Sequence, residues 1–145
     1  MRTIAGMLRS VKKVDIDEEV RQTFYDTRDQ LVDEQQKQII SGLRSDDKPI
    51  FNVQTGSDEY SPGYAKKKGK KKPIDLHLTG DFQGNIFIDV RDTEIIIDSA
   101  DTKSGDLQKK YGGEVFGLNT PHKQAYIDLT KPVFITRIET QLNKR

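Results

Sequence analysis

The most conspicuous chemistry in the sequence is a cluster of six lysines within seven positions, preceded by two tyrosines. The cluster comprises Lys66, Lys67, Lys68, Lys70, Lys71 and Lys72, and the tyrosines are Tyr60 and Tyr64. Such a cluster can neutralise the phosphates of a nucleic acid, dock on an acidic protein surface, or remain solvated. It contains no arginine, the residue that reads guanine through two parallel hydrogen bonds. We therefore expect no recognition of base sequence, whatever the cluster binds.

Groups suited to catalysis or metal binding do not combine into a familiar site. His77 and His122 lack the spacing that places two imidazoles on one metal. The acids between Asp89 and Asp101 alternate with isoleucines, as on a solvated strand face, and do not match a calcium loop. The chain has no cysteine, and its glycines do not form a phosphate-binding loop. We expect no catalytic residue, no metal, no cofactor and no small-molecule substrate.

The net charge of +1 hides a strong separation of charge along the chain. Residues 60–73 carry six lysines and no acid, a charge of +6, whereas residues 15–34 carry eight acids and two arginines, a charge of −6. One copy of the chain therefore offers an acidic helix and a basic loop, and unlike surfaces of two copies can attract each other. This complementarity favours docking of the lysines on protein.

Length and composition indicate a single structural domain over residues 1–145. A chain of 145 residues is close to the size of one ordinary domain, and only 33% of its residues are hydrophobic. No run approaches the roughly 18 apolar residues of a membrane-spanning helix, so we expect no membrane association. The absence of cysteine fits an intracellular protein, or one assembled inside a cell.

The first predicted element of the fold that carries the lysines is a long amphipathic helix. Apolar side chains recur at helical spacing from Val20 to Leu43, which predicts a helix over residues 16–43. Asp15 and Glu18 resemble a capping box at its start. A helix of this length spans roughly 40 Å, more than a small domain can cover. We therefore expect part of it to meet a neighbouring element or subunit.

The rest of the sequence predicts a small antiparallel sheet with a central hairpin, short helices and a C-terminal helix. Strands are expected at 50–53, 74–78, 86–90 and 94–98, of which the last two form the hairpin. Short helices are expected at 81–85 and 104–111. Residues 54–73 are predicted to form a lysine-rich loop. The terminal helix is predicted to start at a Thr130 cap, with Pro132 in its first turn, and to reach residue 142. Helices segregated from an antiparallel sheet indicate an α+β fold.

Three motifs follow one another along the chain. They are Tyr60-Ser61-Pro62-x-Tyr64-Ala65-Lys66, then Leu76-x-Leu78-Thr79-Gly80-Asp81-Phe82, then, after the hairpin, Tyr111-Gly112-Gly113-x-x-Phe116-Gly117-Leu118. Their order is similar to that in the tail-completion and virion-morphogenesis proteins of tailed bacteriophages. Within the second motif we expect a turn into a short helix. Phe82 would pack on the sheet, and close backbone would keep Gly80 free of a side chain.

The resemblance implies a non-enzymatic structural subunit that forms a ring at the junction of head and tail, as a tail-completion, tail-terminator or neck protein. It implies six or twelve copies in contact with other connector or tail proteins, in a virion assembled in the host cytoplasm. It gives a structural role to Pro62, Leu78, Thr79, Gly80, Phe82, Tyr111, Gly112 and Phe116. DNA in the lumen of such a ring offers the lysines a non-specific partner.

A small nucleic-acid-binding protein that uses the lysine cluster is the alternative from another class. An enzyme of unrecognised type and an unrelated interaction adaptor are further alternatives. The pI of 7.9 lies below the value of about 9 that is common in dedicated nucleic-acid binders. Composition therefore favours the structural subunit.

Overall fold

The computed structural model describes residues 14–77, 80–92 and 94–143. Within these ranges the elements are helices α1 (Ile16–Asp26), α2 (Arg28–Ile40), α3 (Pro62–Lys68) and α4 (Asp81–Gly84), strands β1 (Ile86–Val90) and β2 (Ile95–Ser99), helix α5 (Ser104–Tyr111), a 3₁₀ turn (Gly113–Val115) and helix α6 (Thr120–Leu142). The two strands form one antiparallel sheet. The predicted α+β fold, with a small sheet and a C-terminal helix, is confirmed.

The predicted N-terminal helix is present as two helices in near continuation. Asp15 caps α1, since its Oδ1 accepts a hydrogen bond from the Glu18 N–H at 3.1 Å. Thr27 separates α1 from α2 with a non-helical backbone (φ −109°, ψ 16°). Its hydroxyl donates to the Thr23 carbonyl at 2.7 Å, a bond that competes with helical geometry. The prediction of one uninterrupted helix is therefore wrong at Thr27.

Helix α2 ends at Ile40, whereas the sequence predicted an end at Leu43. The chain leaves the helix through Gly42, whose φ is +77°. The N–H groups of Gly42 and Leu43 donate back into the last turn, the latter to the Gln38 carbonyl at 3.1 Å, as in a Schellman cap. A Cβ on residue 42 would lie 2.3 Å from the Cβ of Pro73. Glycine is needed here for its backbone freedom and for space.

The terminal helix α6 begins at Thr120, well before the predicted start. Asn119 caps it, because its side chain accepts a hydrogen bond from the His122 N–H at 3.3 Å. Thr130 and Pro132, predicted to be the cap and the first turn, lie inside the helix. Threonine followed by proline imitates a helix start, and neighbouring packing keeps the helix continuous through it. His122, predicted to lie in a loop, is in the first turn of α6.

Helix α6 packs against both α1 and α2, which confirms the expectation that the N-terminal helix meets a neighbouring element. The rings of Phe24 and Tyr126 stack with centroids 5.9 Å apart. Further along, Arg137 donates to Glu19 at 2.8 Å and to Asp26 at 2.9 Å. The length of the N-terminal helix therefore no longer requires a neighbouring subunit.

Two buried glutamines on α2 bind the backbone of the segment that leads into α6. The Gln35 amide donates to the Val115 carbonyl at 3.2 Å and accepts from the Gly117 N–H at 2.8 Å. The Gln38 amide donates to the Gly117 carbonyl at 2.8 Å and accepts from the Asn119 N–H at 2.7 Å. Both side chains are fully buried. They replace the bonds that water would otherwise supply to this irregular segment.

The predicted hairpin is confirmed. Ile86 pairs with Ser99 and Val90 with Ile95, so the second strand lies one residue later than predicted. The turn is closed by a hydrogen bond from the Arg91 N–H to the Glu94 carbonyl at 2.9 Å. The hairpin is joined to α4 by a hydrogen bond, in which the Ser99 hydroxyl donates to the Phe82 carbonyl at 2.8 Å.

The strands predicted at 50–53 and 74–78 are wrong in the part of the chain that the structure describes. Residues 50–53 and 74–77 are irregular, and Leu78 lies outside the described residues. Leu76 has a φ of +55°, which no strand residue adopts. Ile74, Asp75 and Leu76 are all buried, so the alternation that suggested a half-exposed strand does not exist. Instead, Ile74 and Leu76 join Ile39 and Val115 in the core.

Candidate functional site

The lysine cluster lies on helix α3 and immediately after it. Pro62 occupies the first turn of the helix, and Gly69 ends it in the left-handed conformation (φ +82°). The prediction of one loop over residues 54–73 is therefore wrong at residues 62–68. The sequence contains three signals of this helix, namely proline at its start, glycine at its end and lysines in its last turn. The polar, glycine-rich composition of the stretch favoured a loop instead.

Two of the six lysines share an ion pair within the chain with one buried carboxylate, that of Asp75. Lys68 Nζ lies 2.6 Å from Asp75 Oδ1, and Lys70 Nζ lies 2.5 Å from Oδ2. The Tyr60 hydroxyl donates to Oδ1 at 3.0 Å, and so does the His77 N–H at 3.1 Å. Lys68 also lies over the Tyr60 ring, 4.7 Å from its centroid. We call Tyr60, Lys68, Lys70 and Asp75 the Asp75 network.

The Asp75 network keeps the carboxylate ionised although it is buried. Burial by itself raises the pKa of Asp75, but hydrogen bonds from Lys68, Lys70, the His77 N–H and Tyr60 outweigh it and hold the pKa well below its ordinary value. Burial also raises the pKa of Tyr60, and the adjacent negative charge of Asp75 adds to that rise. Tyr60 therefore remains a neutral hydrogen-bond donor, and the network ties α3 to residues 74–77.

Sequence reasoning missed Asp75, which the alternation of residues 74–78 placed on a solvated face. The signal was present, because Asp75 is the first acid after an uninterrupted basic run. Six adjacent ammonium groups need a counter-charge, and the same chain supplies one of them. Lys68 and Lys70 therefore have a counter-charge within the chain, and docking on a partner remains a proposal for the other four lysines. Lys66, Lys67, Lys71 and Lys72 are exposed.

A cleft of about 990 Å³ opens between α3 and α5. Its floor is apolar and includes Ile74, Leu76 and Leu107. Its rim carries the lysines Lys66, Lys70, Lys71 and Lys110 and the aromatic residues Tyr60, Tyr64 and Tyr111. The cleft therefore brings both predicted tyrosines together with half of the lysine cluster and adds Lys110, which the sequence did not single out. We call it the α3–α5 cleft.

The other described motif residues lie in the core or at helix ends. Phe82 is buried and meets Phe116 with ring centroids 5.7 Å apart, so the ring contact is with the segment that follows the 3₁₀ turn, whereas the sequence predicted packing of Phe82 on the sheet. Tyr111 is buried at the end of α5, and Gly112 follows with a φ of +88°. Pro62 starts α3. The predicted short helices at 81–85 and 104–111 are confirmed as α4 and α5, while Leu78 and Thr79 lie outside the described residues.

Gly80 is needed for a different reason from the one predicted. Its φ is +87°, a conformation that side chains rarely adopt. A Cβ there would meet the His77 ring at 3.4 Å, and its neighbour is therefore a side chain rather than the expected backbone. Among the described residues no backbone lies within 4 Å of such a Cβ, so the expected crowding by backbone is not found there, and the left-handed turn into α4 explains the glycine.

An apolar groove of about 230 Å³ runs between α1 and α6. Val20, Phe24, Tyr126, Ile127 and Phe134 line it. We call the surface lined by these residues the α1–α6 groove. Further large apolar side chains are exposed elsewhere on the same two helices, namely Ile16, Tyr25, Leu129 and Ile135.

The acidic stretch of residues 15–34 is partly neutralised within the chain. Glu18 pairs with Arg21, Glu19 and Asp26 with Arg137, Asp33 with Lys37, and Glu34 with His122. Five of its eight acids therefore have a basic partner in the same molecule, and Arg137 and Lys37 contribute positive charge from outside the stretch. The charge complementarity between this stretch and the lysine cluster of another copy is weaker than the sequence suggested.

Side chains able to bind a metal do not gather in the described ranges, where no group of three or more histidines and carboxylates comes together. His77 lies beside the Asp75 network, and His122 Nδ1 lies 2.7 Å from Glu34 Oε2 on α2. In the same ranges no helix is long and apolar enough to cross a membrane.

Comparison with known proteins finds no matching family, no similar characterised protein and no similar solved structure.

Proposed function

We propose that this chain is a non-enzymatic structural subunit of a tailed-bacteriophage virion. It forms a ring at the head–tail junction as a tail-completion, tail-terminator or neck protein. The order of the three sequence motifs suggests the family. The α1–α6 groove is the structural observation that supports self-assembly, because it leaves a run of apolar side chains without cover.

Helix α6 has apolar residues on more than one side. Tyr126 and Thr130 face inward and are buried, whereas Ile127 and Ile135 are each 44% exposed and Leu129 is 52% exposed. A helix that is apolar around much of its circumference is normally buried on those sides. An exposed apolar groove with further exposed apolar side chains on the same helices is typical of an interface between proteins. In this proposal the groove is covered by a second copy of the chain.

A ring built by head-to-tail contacts needs two different complementary surfaces on each copy. The groove is one of them. The other is not the acidic stretch, because most of its acids are paired inside the molecule. Assembly therefore rests mainly on apolar contact and depends little on salt. Rings of six or twelve copies, bound to other connector or tail proteins, satisfy this geometry.

Light scattering during size-exclusion chromatography tests the proposal. The wild-type chain should elute at a multiple of its 16.6 kDa mass. The double variant Val20→Ser, Ile127→Ser should need at least about tenfold higher concentration to assemble, since two partly exposed apolar side chains lose their burial. The matched control is Ile40→Ser, Val53→Ser, which removes the same residue types from exposed positions outside the groove.

Electron microscopy of the assembled fraction then shows whether it is a ring and how many copies it contains. A wild-type chain that stays monomeric, both alone and with the other virion proteins, contradicts the proposal. Equal loss of assembly in the groove variant and the control contradicts the assignment of the groove.

A dedicated nucleic-acid-binding protein is the weaker candidate. Lys68 and Lys70 are held by Asp75, which leaves four exposed lysines of the six. Such a remainder supports a local site on a structural subunit better than a whole protein devoted to nucleic acid.

A further inference from the structure

The α3–α5 cleft has the composition of a site for a ligand that is both apolar and anionic. Its volume lies at the upper end of the range for sites that enclose a ligand. Ile74, Leu76 and Leu107 lie at its floor, and lysines stand at its rim. Glu59 is the single acid among its lining residues. A ligand with a flat or apolar body and negative charges at its edge matches this arrangement.

Three lysines at the cleft would attract the negatively charged part of the ligand. Lys66, Lys71 and Lys110 line the cleft and are exposed, and the ion pairs of Asp75 are with Lys68 and Lys70 instead. One of these lysines lies on α3, one shortly after it and one on α5, so three ammonium groups from separate parts of the chain line the same cleft and can each meet a phosphate. Their electrostatic attraction does not depend on base identity.

The apolar part of the ligand meets Tyr64. Its ring is half-buried at the cleft wall and meets the Tyr60 ring at an interplanar angle of 54°, with centroids 4.9 Å apart. An aromatic ring that lines a cleft can stack on a base, and stacking of bases on aromatic side chains is tolerant of sequence. Asn52 and Ser57 add uncharged polar groups at the rim.

The lining of the cleft does not favour an extended peptide as the occupant. Its described residues lie on α3, on α5 and in the irregular segments 52–61 and 69–76, and none belongs to β1 or β2, so the lining offers no strand edge to a peptide backbone. A double-stranded nucleic acid keeps its base faces inside the stack, where the apolar floor cannot reach them. An unpaired strand exposes phosphates and base faces together.

We propose that the α3–α5 cleft binds single-stranded nucleic acid without sequence preference, with phosphates on Lys66, Lys71 and Lys110 and a base on Tyr64. The site is independent of the proposed ring, because the cleft and the α1–α6 groove share no lining residue.

Fluorescence anisotropy with a labelled oligothymidylate of about 12 nucleotides tests the site. The cleft variant Lys66→Gln, Lys71→Gln, Lys110→Gln should bind about tenfold more weakly than wild type at moderate salt. The slope of log K against log salt should become shallower by about 2, as expected for three lost phosphate contacts on a single strand.

The control variant Lys67→Gln, Lys72→Gln, Lys109→Gln removes the same charge from exposed positions that do not line the cleft. It should keep the wild-type affinity within about twofold to threefold. Tyr64→Leu should also weaken binding about tenfold, with an unchanged salt slope, because it removes stacking and no charge. Thermal unfolding of each variant shows that the fold is retained.

Equal weakening in the cleft and control variants overturns the proposal, because it indicates a diffuse basic surface. Displacement of the oligonucleotide by polyglutamate as readily as by unlabelled oligothymidylate also overturns it and assigns the cleft to an acidic protein. Stronger competition by thymidine monophosphate than by inorganic phosphate at the same concentration supports the role of the base, and equal competition by the two contradicts it. The molecular mass measured in the same buffer reports on the ring separately.

Discussion

Lys67 and Lys68 are neighbours in the sequence and have opposite surroundings. The side chain of Lys68 is 10% exposed and bonds Asp75, Tyr60 and the His77 carbonyl, whereas Lys67 is exposed. Residue type alone cannot distinguish the two lysines. Adjacent residues of a helix point about 100° apart, and of the two only the side chain of Lys68 points towards the buried carboxylate. A basic run is therefore not one functional unit, and each lysine has to be assigned by its contacts.

Replacing Asp75 by asparagine should destabilise the fold. The variant leaves the buried Lys68 ammonium group without its counter-charge, and breaking a buried ion pair from one side costs about 3 kcal/mol or more. Denaturation in urea measures the change in the free energy of unfolding. Asp89→Asn is the control, because its pair with Arg91 is well exposed and is worth less than about 1 kcal/mol. Similar losses in both variants would contradict a special role for Asp75.

The same carboxylate predicts a pH dependence. Its pKa is lower in the folded chain than the ordinary value of 3.8, so folding favours the ionised form. This contribution is fully present above about pH 4 and is lost as the pH falls below that value. The difference in unfolding free energy between wild type and Asp75→Asn should therefore shrink between about pH 4 and pH 2. A difference that stays constant over this interval would show that ionised Asp75 does not stabilise the fold.

Phe82 allows a test of the core. It is 3% exposed and packs on Phe116, so Phe82→Ala should cost about 3–5 kcal/mol in unfolding free energy. Phe87→Ala is the matched control, since Phe87 is 42% exposed on β1 and should cost less than about 1 kcal/mol. An unchanged urea midpoint for Phe82→Ala would refute the role of this residue in the core.

At the scale of elements, the sequence predicted what local signals control. The Asp15 cap, the 86–99 hairpin, α4 and α5 each depend on residues within a few positions of one another, and each is confirmed. The failures depend on distant partners. Thr130 and Pro132 imitate a helix start, yet contacts with α1 and α2 far away in sequence keep α6 continuous through them.

Gly42, just after α2, lies in close contact with Pro73 and Ile74, which precede Asp75. Gly42→Ala should lower the free energy of unfolding by at least about 2 kcal/mol, because φ is +77° and the new Cβ would clash with Pro73. Gly63→Ala is the control, since it lies in α3 and its Cβ would meet nothing within 4 Å. That variant should be unchanged or more stable by up to about 1 kcal/mol. Urea unfolding of both variants decides, and equal effects would contradict the argument.

At the scale of the whole molecule, the candidate site was predicted only in part. The tyrosines and lysines are visible in the sequence because they lie within 13 positions, from Tyr60 to Lys72. The cleft itself needs Leu107 and Lys110, which come from α5 and have no local signal that connects them to α3. The charge of the acidic stretch was overestimated for the same reason, since Arg137, which pairs with Glu19 and Asp26, is distant from both in the sequence.

The two surfaces should fail independently when mutated. The groove variant Val20→Ser, Ile127→Ser should lose assembly and keep its affinity for oligothymidylate, because the α3–α5 cleft is intact. The cleft variant Lys66→Gln, Lys71→Gln, Lys110→Gln should do the reverse. Replacing all six lysines cannot separate these effects, because it also dismantles the ion pairs of Asp75 and releases α3.

Light scattering and anisotropy on the same preparations make this comparison. If the cleft variant also fails to assemble at every salt concentration while remaining folded, the lysines contact a neighbouring copy, and the two surfaces belong to one interface. If the groove variant loses both properties, binding requires the ring, because phosphates then bridge clefts of adjacent copies and single copies bind too weakly. Independent loss is expected because the two surfaces have no lining residue in common and differ in their chemistry, one apolar and one basic.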